Sequence, residues 1–181
     1  MTEDTVVRRA RAEDIHALSD LAIRTFRDTY ADDNDPKTIE DYLRSSLNTT
    51  SLRNELNEAG NVFLIAFRRS DNVAIGYAKL RTTSEDPSVE SQRAVEIERI
   101  YADKRVIGHG VGAALMGACL KTAGELECEA IWLGVWKRNQ HAVLFYERWE
   151  FRTVGSRQFA LGNELQDDLV MVRQLPSSIV D

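Results

Sequence analysis

Apolar residues at helical spacing dominate the first third of the chain, after one short strand pattern. We predict a strand over 5–9 and then a helix of about four turns that starts near Glu13. Apolar residues three or four positions apart form one face of this helix: Ile15, Leu18, Ala22 and Phe26. Pro36 suits the first turn of a second helix that ends near Ser45, and 52–58 predicts a third, short helix.

Strand patterns follow in the middle of the chain. Two apolar runs, 61–68 and 73–81, flank the turn residues 70–72, which predicts an antiparallel hairpin. The stretch 93–102 reads as a further strand, whose side chains point to its two faces in turn. One face carries Val95, Ile97, Arg99 and Tyr101, and the other carries Ala94, Glu96, Glu98 and Ile100. The two glutamates are therefore expected on the same face.

The rest of the chain alternates between helix and strand. A glycine-rich turn leads into an apolar helix, and the apolar run 130–136 is typical of a buried strand. A helix over 139–149 and two strands near 152–161 and 168–175 complete the order. This order predicts an α+β fold in one domain, residues 1–181, with one central strand–helix–strand unit.

Three glycines at alternate positions open the central helix. Gly108, Gly110 and Gly112 stand in the segment KRVIGHGVGAALM, between a predicted strand and a predicted helix. Glycine lets the backbone approach a ligand closely and adopt a positive φ. The first N–H groups of the helix then point outward at the positive end of the helix dipole, which favours anions. We therefore predict that this turn binds an anionic ligand.

The residues around the turn distinguish the candidate anions. A P-loop ends in Gly-Lys-Ser/Thr, whereas Gly112 is followed by Ala-Ala, which argues against a nucleoside triphosphate. Gly108, Gly110 and Ala113 satisfy the looser dinucleotide fingerprint, but basic residues stand where its acidic residue would end the next strand. One of these, Arg138, could read a 2′-phosphate, so an NADP-binding oxidoreductase stays open as an alternative.

Composition and charge narrow the class of protein further. The formal net charge is −6, and no Lys/Arg run offers the clustered cations that nucleic acid requires. No apolar run approaches the roughly 20 residues that cross a bilayer, and 1–9 lacks the apolar block of a signal peptide. Two cysteines without a Cys/His cluster argue against a disulfide scaffold and a metal site. We expect a cytoplasmic protein with no nucleic-acid or membrane partner.

The glycine turn resembles the pyrophosphate-binding signature of the GNAT superfamily of N-acetyltransferases. That signature, Gln/Arg-x-x-Gly-x-Gly/Ala at the start of a helix, is matched by Arg105-Val-Ile-Gly108-His-Gly110. The helix register of the family, in which Gly-x-Gly precedes two small residues and Leu, is matched instead by the six residues from Gly110 to Leu115. Ile107 then stands where the family has Gln or Arg, so both alignments stay open.

The segment after the next strand resembles the second signature of the same family. GNAT proteins have an Asn, an Ala three residues later, an aromatic–Tyr pair and then Gly-Phe. These places are filled by Asn139, Ala142, Phe145, Tyr146 and Phe151. Glu150 replaces the family's glycine, which costs about 1 kcal/mol if the helix ends there in a left-handed residue.

The resemblance implies the GNAT acyl-CoA N-acyltransferase fold, a mixed central sheet of about seven strands flanked by helices in three layers. It also implies acetyl-CoA as the co-substrate, no metal, and direct acetyl transfer to a primary amine in a ternary complex. The residues that it assigns to acetyl-CoA are Ile100, Tyr101, Ala102, Arg105, Gly108, His109, Gly110, Val111, Gly112, Ala113, Asn139 and Tyr146.

Acetyl transfer to an amine needs a general base and a general acid. An amine acceptor of pKa about 10.4 must lose a proton before it attacks, so a general base lowers the barrier. Resemblance to spermidine/spermine acetyltransferases places this base at Glu98, with Glu96 on the same face as the alternative. Tyr146 matches the family's general acid, which protonates the departing thiolate.

Within the superfamily the chain is most similar to the PaiA-type polyamine N-acetyltransferases. The matching stretches are 24–30, 95–101, 131–136 and Asp167-Asp168-Leu169. This resemblance implies a small-molecule amine, in particular a polyamine, as the acceptor. Acetylation of a protein or an amino acid, and a CoA-binding module without turnover, are the alternatives. A homodimer is one assembly that stays open.

Overall fold

The computed structural model of the protein describes residues 4–161 and 164–176. The helices and strands follow one another in the order that the sequence predicts. The helices are α1 (Ile15–Tyr30), α2 (Pro36–Ser46), α3 (Thr49–Asn57), α4 (Val111–Glu125) and α5 (Gln140–Arg148). The strands are β1 (Thr5–Arg9), β2 (Asn61–Arg68), β3 (Ala74–Arg81), β4 (Ala94–Ala102), β5 (Ala130–Trp136), β6 (Arg152–Leu161) and β7 (Glu164–Gln174).

The seven strands form one mixed sheet in the order β1-β2-β3-β4-β5-β7-β6. Strands β4 and β5 run parallel, as the predicted strand–helix–strand unit requires. Strand β1 runs antiparallel to β2, and β7 runs antiparallel to both β5 and β6. Asn72, in the turn of the predicted β2–β3 hairpin, has a left-handed φ of 56°. The predicted α+β fold with a mixed sheet of about seven strands is confirmed.

Two compact units divide the chain, and the first comprises 4–80 and 99–119. Its core contains the predicted apolar face of α1, since Ile15, Leu18, Ala22 and Phe26 are all buried. Each large apolar side chain that is fully buried stabilises the fold by about 1.5–3 kcal/mol. The helical spacing in the sequence therefore identified the packed face of α1.

The second compact unit comprises 81–98 and the described residues from 120 onward. Its core contains Ala130, Trp132, Val170 and Val172, with Val89 and Ala94 packed against them. The loop between β3 and β4 contacts β6 at Gly155, where an added Cβ would collide with the side chain of Ser88. Glycine at this position therefore lets the loop lie directly on the strand.

Several element boundaries differ from the sequence-based prediction. Helix α3 begins at Thr49 rather than 52, because Asn48 is its N-cap. A short 3₁₀ turn, Ala12–Asp14, precedes α1, so the α-helix itself begins at Ile15. Helix α5 begins at Gln140, because Asn139 is its N-cap. Strand β7 begins at Glu164 rather than 168, because its backbone pairs there with β6, for example Leu165 with Ala160. The polar sequence of this first part of β7 carries no apolar pattern.

The C-terminus of α5 is closed by a left-handed residue. Glu150 has a φ of 64°. Its N–H donates to the carbonyl of Glu147 at 2.9 Å, and the N–H of Phe151 donates to the carbonyl of Tyr146 at 3.1 Å. This is a Schellman motif, in which glycine is the usual left-handed residue. Glu150 therefore has the left-handed conformation for which a cost of about 1 kcal/mol is predicted.

Candidate functional site

The glycine turn has the backbone geometry of an anion cradle. Gly108 and Gly110 both have a φ of 84°. Helix α4 begins at Val111, and its first hydrogen bond runs from the N–H of Ala114 to the carbonyl of Gly110 at 2.9 Å. The N–H groups of the first three helical residues therefore have no partner within the helix. Gly112, the third glycine of the pattern, lies inside this first turn.

Backbone conformation, rather than lack of space, explains the glycine at position 108. An added Cβ would meet no other atom within 4 Å, so a side chain would fit sterically at this position. The positive φ is what disfavours other residues. His109 follows, is exposed, and donates its backbone N–H to the carbonyl of Val106 at 3.2 Å. The turn thus leaves open space beside a fixed backbone.

A buried carboxylate anchors the start of the turn. Asp103 is 1% exposed and accepts hydrogen bonds from Arg24 at 2.9 Å and from Arg105 at 2.6 Å. It also accepts the backbone N–H of Arg105 at 3.0 Å. The Arg105 guanidinium holds the pKa of Asp103 well below its usual range. Arg105, predicted to support the ligand, is thus fixed by Asp103 while its side chain stays 66% exposed.

Strand β3 makes a close approach to the end of β4 at Gly76. An added Cβ there would lie 3.0 Å from the carbonyl oxygen of Tyr101 and 2.9 Å from the side chain of Leu115. Only glycine fits this contact without a shift. The Tyr101 hydroxyl lies 3.4 Å from that of Tyr30, and burial raises the pKa of Tyr101. Ile100 and Ala102 flank Tyr101 and are half-buried.

Strands β4 and β5 part early. They pair only from Ala94 with Ala130 to Glu96 with Trp132. Strand β5 continues to pair with β7 as far as Trp136. Within the described residues, the edge of β5 that faces β4 therefore has no register partner after Trp132. Parted strands at this point are what the resemblance implies for a pantetheine arm.

The two glutamates of β4 have different surroundings. Glu96 is 1% exposed and accepts hydrogen bonds from Arg81 at 2.8 Å and Arg157 at 3.0 Å. Glu98 keeps 20% of its side chain exposed, and its Oε2 lies 3.4 Å from Nε of Arg81. Since Arg81 contacts both carboxylates, the predicted common face is confirmed. Glu96 is enclosed by two guanidinium groups, whereas the Glu98 side chain is partly exposed although its Oε2 atom is buried.

Gly134 creates the space through which Arg157 reaches Glu96. An added Cβ at Gly134 would lie 2.5 Å from Nη2 of Arg157. The same guanidinium lies over the Trp132 ring, 5.2 Å from its centroid. Sequence reasoning missed Gly134, Arg157 and Arg81. A glycine inside an apolar strand was the available signal for the first of them.

The signature residues of α5 both have structural roles. The Asn139 side chain accepts the N–H of Ala142 at 3.1 Å and so caps the helix. Its Nδ2 group donates to no other atom in the described part of the chain. Tyr146 is buried and packs against Phe145 and Phe151, with ring centroids 5.5 and 6.0 Å away.

Asp168 is a further carboxylate that sequence reasoning left without a role. It is 8% exposed, and its side chain makes no hydrogen bond or ion pair with the residues that the structure describes. Burial raises its pKa to about 6, Arg157 opposes this rise, and Asp167 adds to it. The signal in the sequence was an acid repeated at 167 and 168, directly before the apolar part of β7.

A cavity of about 540 Å³ opens between the β3–β4 loop and the sheet. Its lining includes the acidic Glu85 and Asp86 of the loop and the strand residues Ala94 and Trp132. Ser84, also in the lining, accepts a hydrogen bond from Arg81 at 3.0 Å. The cavity therefore adjoins the arginine that bridges the two glutamates.

Comparison with known proteins decides the family. The model of the acetyltransferase (GNAT) family matches residues 15–151. The chain belongs to the GNAT family. This match spans the glycine turn and helix α5, the two segments on which the resemblance was stated. The assignment to N-acetyltransferases is thereby confirmed.

Individual relatives agree with the GNAT assignment. An uncharacterized N-acetyltransferase of Mycobacterium bovis is 32% identical over 162 residues, which are 90% of this chain and 98% of that protein. The spermine/spermidine N(1)-acetyltransferase of Bacillus subtilis is 28% identical over 102 residues, 56% of this chain and 63% of that protein. The PaiA N-acetyltransferase of Thermoplasma acidophilum, crystallised with coenzyme A, has the same fold. Its TM-score is 0.74 at 20% identity, with 94% of this chain and 99% of that chain covered.

Two features are absent from the residues of this GNAT protein that the structure describes. No helix among them is long and apolar enough to cross a membrane. Nor does the same part of the chain contain three or more His, Cys, Asp or Glu side chains grouped as a metal site would require.

Proposed function

We propose that this GNAT protein transfers the acetyl group of acetyl-CoA to a primary amine of a small polyamine-like molecule, by direct attack in a ternary complex. The observation that carries the proposal is the glycine turn, with two left-handed glycines before the open N-terminus of α4. This arrangement suits a pyrophosphate.

The residues of the turn fit CoA. The N–H groups of Val111, Gly112 and Ala113 would bind the phosphate oxygens, and Arg105 is held by Asp103 beside them in sequence. Asn139 retains an Nδ2 donor after capping α5, which suits an amide carbonyl of the pantetheine arm. Bound acetyl-CoA would supply the activated thioester. Related structures solved with coenzyme A support this proposal.

Glu98 is the base that we propose. A base must reach the amine, and the Glu98 side chain is 20% exposed whereas Glu96 is 1% exposed. Both oxygens of the Glu96 carboxylate are also engaged, Oε2 by Arg81 and Oε1 by Arg157. We assign Glu96 to positioning Arg81, which in turn contacts Glu98.

Tyr146 is the acid that we propose. Its hydroxyl would donate a proton to the leaving thiolate as the carbon–sulfur bond breaks. The packing of its ring against Phe145 and Phe151 would fix the direction of the hydroxyl. The backbone of β4 from Ile100 to Ala102 would stabilise the oxyanion of the tetrahedral intermediate.

A cationic acceptor suits the acidic residues of the second compact unit. Glu85 and Asp86 line the cavity together with Ser84, which accepts a hydrogen bond from Arg81. The relative from Bacillus subtilis is named for spermine and spermidine. We further propose that the protein acts in the cytoplasm, which its two free thiols, Cys119 and Cys128, support.

An amine panel with acetyl-CoA tests this function. Release of CoA thiol is measured with spermidine, a simple alkylamine, an amino acid and a lysine peptide. Faster turnover with spermidine than with the others supports the polyamine class. Preference for the peptide or the amino acid would replace the acceptor class, and CoA binding without turnover of any amine would favour the binding module.

A further inference from the structure

Asp168 on β7 is a buried carboxylate without a counter-ion in direct contact. It is 8% exposed, and its side chain makes no hydrogen bond or ion pair within 4–161 and 164–176. Carboxylates are almost never buried unless they are paired, because desolvation of the charge is costly. An unpartnered carboxylate at this depth therefore indicates a cationic ligand.

The strand register places Asp168 on the face that carries the glutamates. Asp168 pairs with Trp136 on β5 and with Arg157 on β6. Side chains alternate between the two faces of a strand, so Trp132 and Gly134 lie on the same face of β5 as Trp136. Trp132 in turn pairs with Glu96 on β4. Glu98 lies two residues after Glu96 and so belongs to the same face.

Arginines serve the glutamates of this face more directly than they serve Asp168. Arg81 contacts both glutamates. Arg157 donates to Glu96 at 3.0 Å, and it acts on Asp168 only through space. A cationic ligand beside Asp168 would supply the direct partner that its side chain lacks.

We propose that Asp168 binds the distal ammonium of a diamine or polyamine acceptor while the proximal amine is deprotonated at Glu98. This proposal rests on the proposed function and specifies its acceptor. Asp168 and Glu98 lie on β7 and β4, which are separated by β5, so the acceptor must span at least two strand spacings, about 10 Å. An extended diamine of four carbons with a hydrogen bond at each end reaches about 12 Å.

The ionisation of Asp168 suits this role. Burial raises its pKa to about 6, so the group is mostly charged at neutral pH and attracts a cation. The charged groups that act on it are Arg157 from β6, which lowers the pKa, and Asp167 beside it on β7, which raises it. The partner on β5, Trp136, carries no charge, and the guanidinium of Arg138 lies over its ring, 5.9 Å from the centroid.

The test compares Asp168→Asn with the neighbouring Asp167→Asn, whose side chain is exposed on the same strand. The probes are putrescine and butylamine, which share a four-carbon chain and differ by one ammonium group. We expect Asp168→Asn to lower kcat/KM for putrescine by about 10–100-fold, mainly through KM, and to leave butylamine within about twofold. Asp167→Asn should change neither.

Stability supplies an independent readout. Asn removes a buried charge, so Asp168→Asn should melt at the same or a higher temperature than the wild type at pH 7. A lower melting temperature together with equal losses for both amines would assign Asp168 to structure and overturn the proposal. Wild-type kinetics with putrescine in Asp168→Asn would overturn it too, while the acetyltransferase function would stand.

Binding in the CoA complex keeps the proposal testable if neither amine is acetylated. Putrescine should raise the melting temperature of the CoA-bound wild type and should not raise that of CoA-bound Asp168→Asn. Equal shifts in the two proteins would overturn the role of Asp168. Failure of the wild type to acetylate any amine would instead count against the proposed function.

Discussion

The two glutamates of β4 differ mainly in the arginines that contact them. Glu96 and Glu98 are two positions apart on one strand face, yet Arg81 and Arg157 enclose the first and leave the second accessible. Sequence alternation predicted the shared face but left open which glutamate is the base. The arginines come from other strands, so only the folded chain separates the two roles.

Glu98→Gln should lower kcat/KM and move the rising limb of its pH profile toward the pKa of the free amine, because the amide cannot accept the proton. The measurement is kcat/KM against pH with one amine. Glu96→Gln is the comparison variant. It should lower stability by about 1–3 kcal/mol, since it leaves two guanidinium groups without their carboxylate, and it should keep a rising limb below the pKa of the free amine, because Glu98 is intact. An unchanged profile for Glu98→Gln would remove Glu98 as the base.

Tyr146→Phe should lower kcat by about 10²–10⁴-fold and leave acetyl-CoA affinity nearly unchanged, because the hydroxyl is needed only as the thiolate forms. Phenylalanine keeps the ring contacts with Phe145 and Phe151, so the variant should fold. Turnover and the dissociation constant of acetyl-CoA are measured separately. Wild-type turnover would leave Tyr146 as a core residue.

At the scale of elements, local sequence decides where helices begin and end. Asn139 caps α5, and Glu150 closes it in the left-handed region. The two left-handed glycines before α4 likewise stand where the glycine pattern predicted them. Such positions follow from backbone geometry within a few residues, which is why they are visible in the sequence.

Glu150→Gly should stabilise the protein by about 0.5–1 kcal/mol. Glycine removes the cost of the left-handed conformation, and the loss of the exposed ion pair with Arg173 offsets only part of this gain. The control, Glu147→Gly within the same helix, should destabilise by about 1 kcal/mol. Thermal unfolding of both variants measures these changes in stability. A lower melting temperature for Glu150→Gly would contradict the predicted backbone strain at Glu150.

Gly110→Val should remove most of the rise in melting temperature that CoA gives the wild type, because a β-branched residue cannot adopt the φ of 84° that shapes the cradle. Gly117→Ala in the same helix is the matched control. An added Cβ there meets no atom within 4 Å, so CoA binding should persist. Normal CoA binding by Gly110→Val would place the phosphate site elsewhere.

For the whole molecule, net charge bears on the acceptor. The chain carries a formal charge of −6, so it should attract a polycation over distances that salt screens within about 8–10 Å. Raising ionic strength should therefore raise KM more for spermidine than for butylamine. Steady-state kinetics at two salt concentrations measure this difference. Equal salt effects would argue against steering by the overall charge.

The sequence by itself determined the elements and the family. Strands β2 and β5 have the predicted bounds, since apolar runs and turn residues act locally. The buried face of α1 follows from its spacing for the same reason. The glycine turn and the Asn139–Tyr146 signature together identify a GNAT protein from the sequence.

Tertiary structure alone decided how the charged side chains meet. Arg81, Glu96, Arg157 and Asp168 come from β3, β4, β6 and β7, and strand pairing assembles them although no local pattern connects them. The glycine at 134 matters because another strand's arginine occupies its space. Burial and partner choice depend on residues distant in sequence, so the depth of Asp168 and the difference between the glutamates appear only in the folded chain.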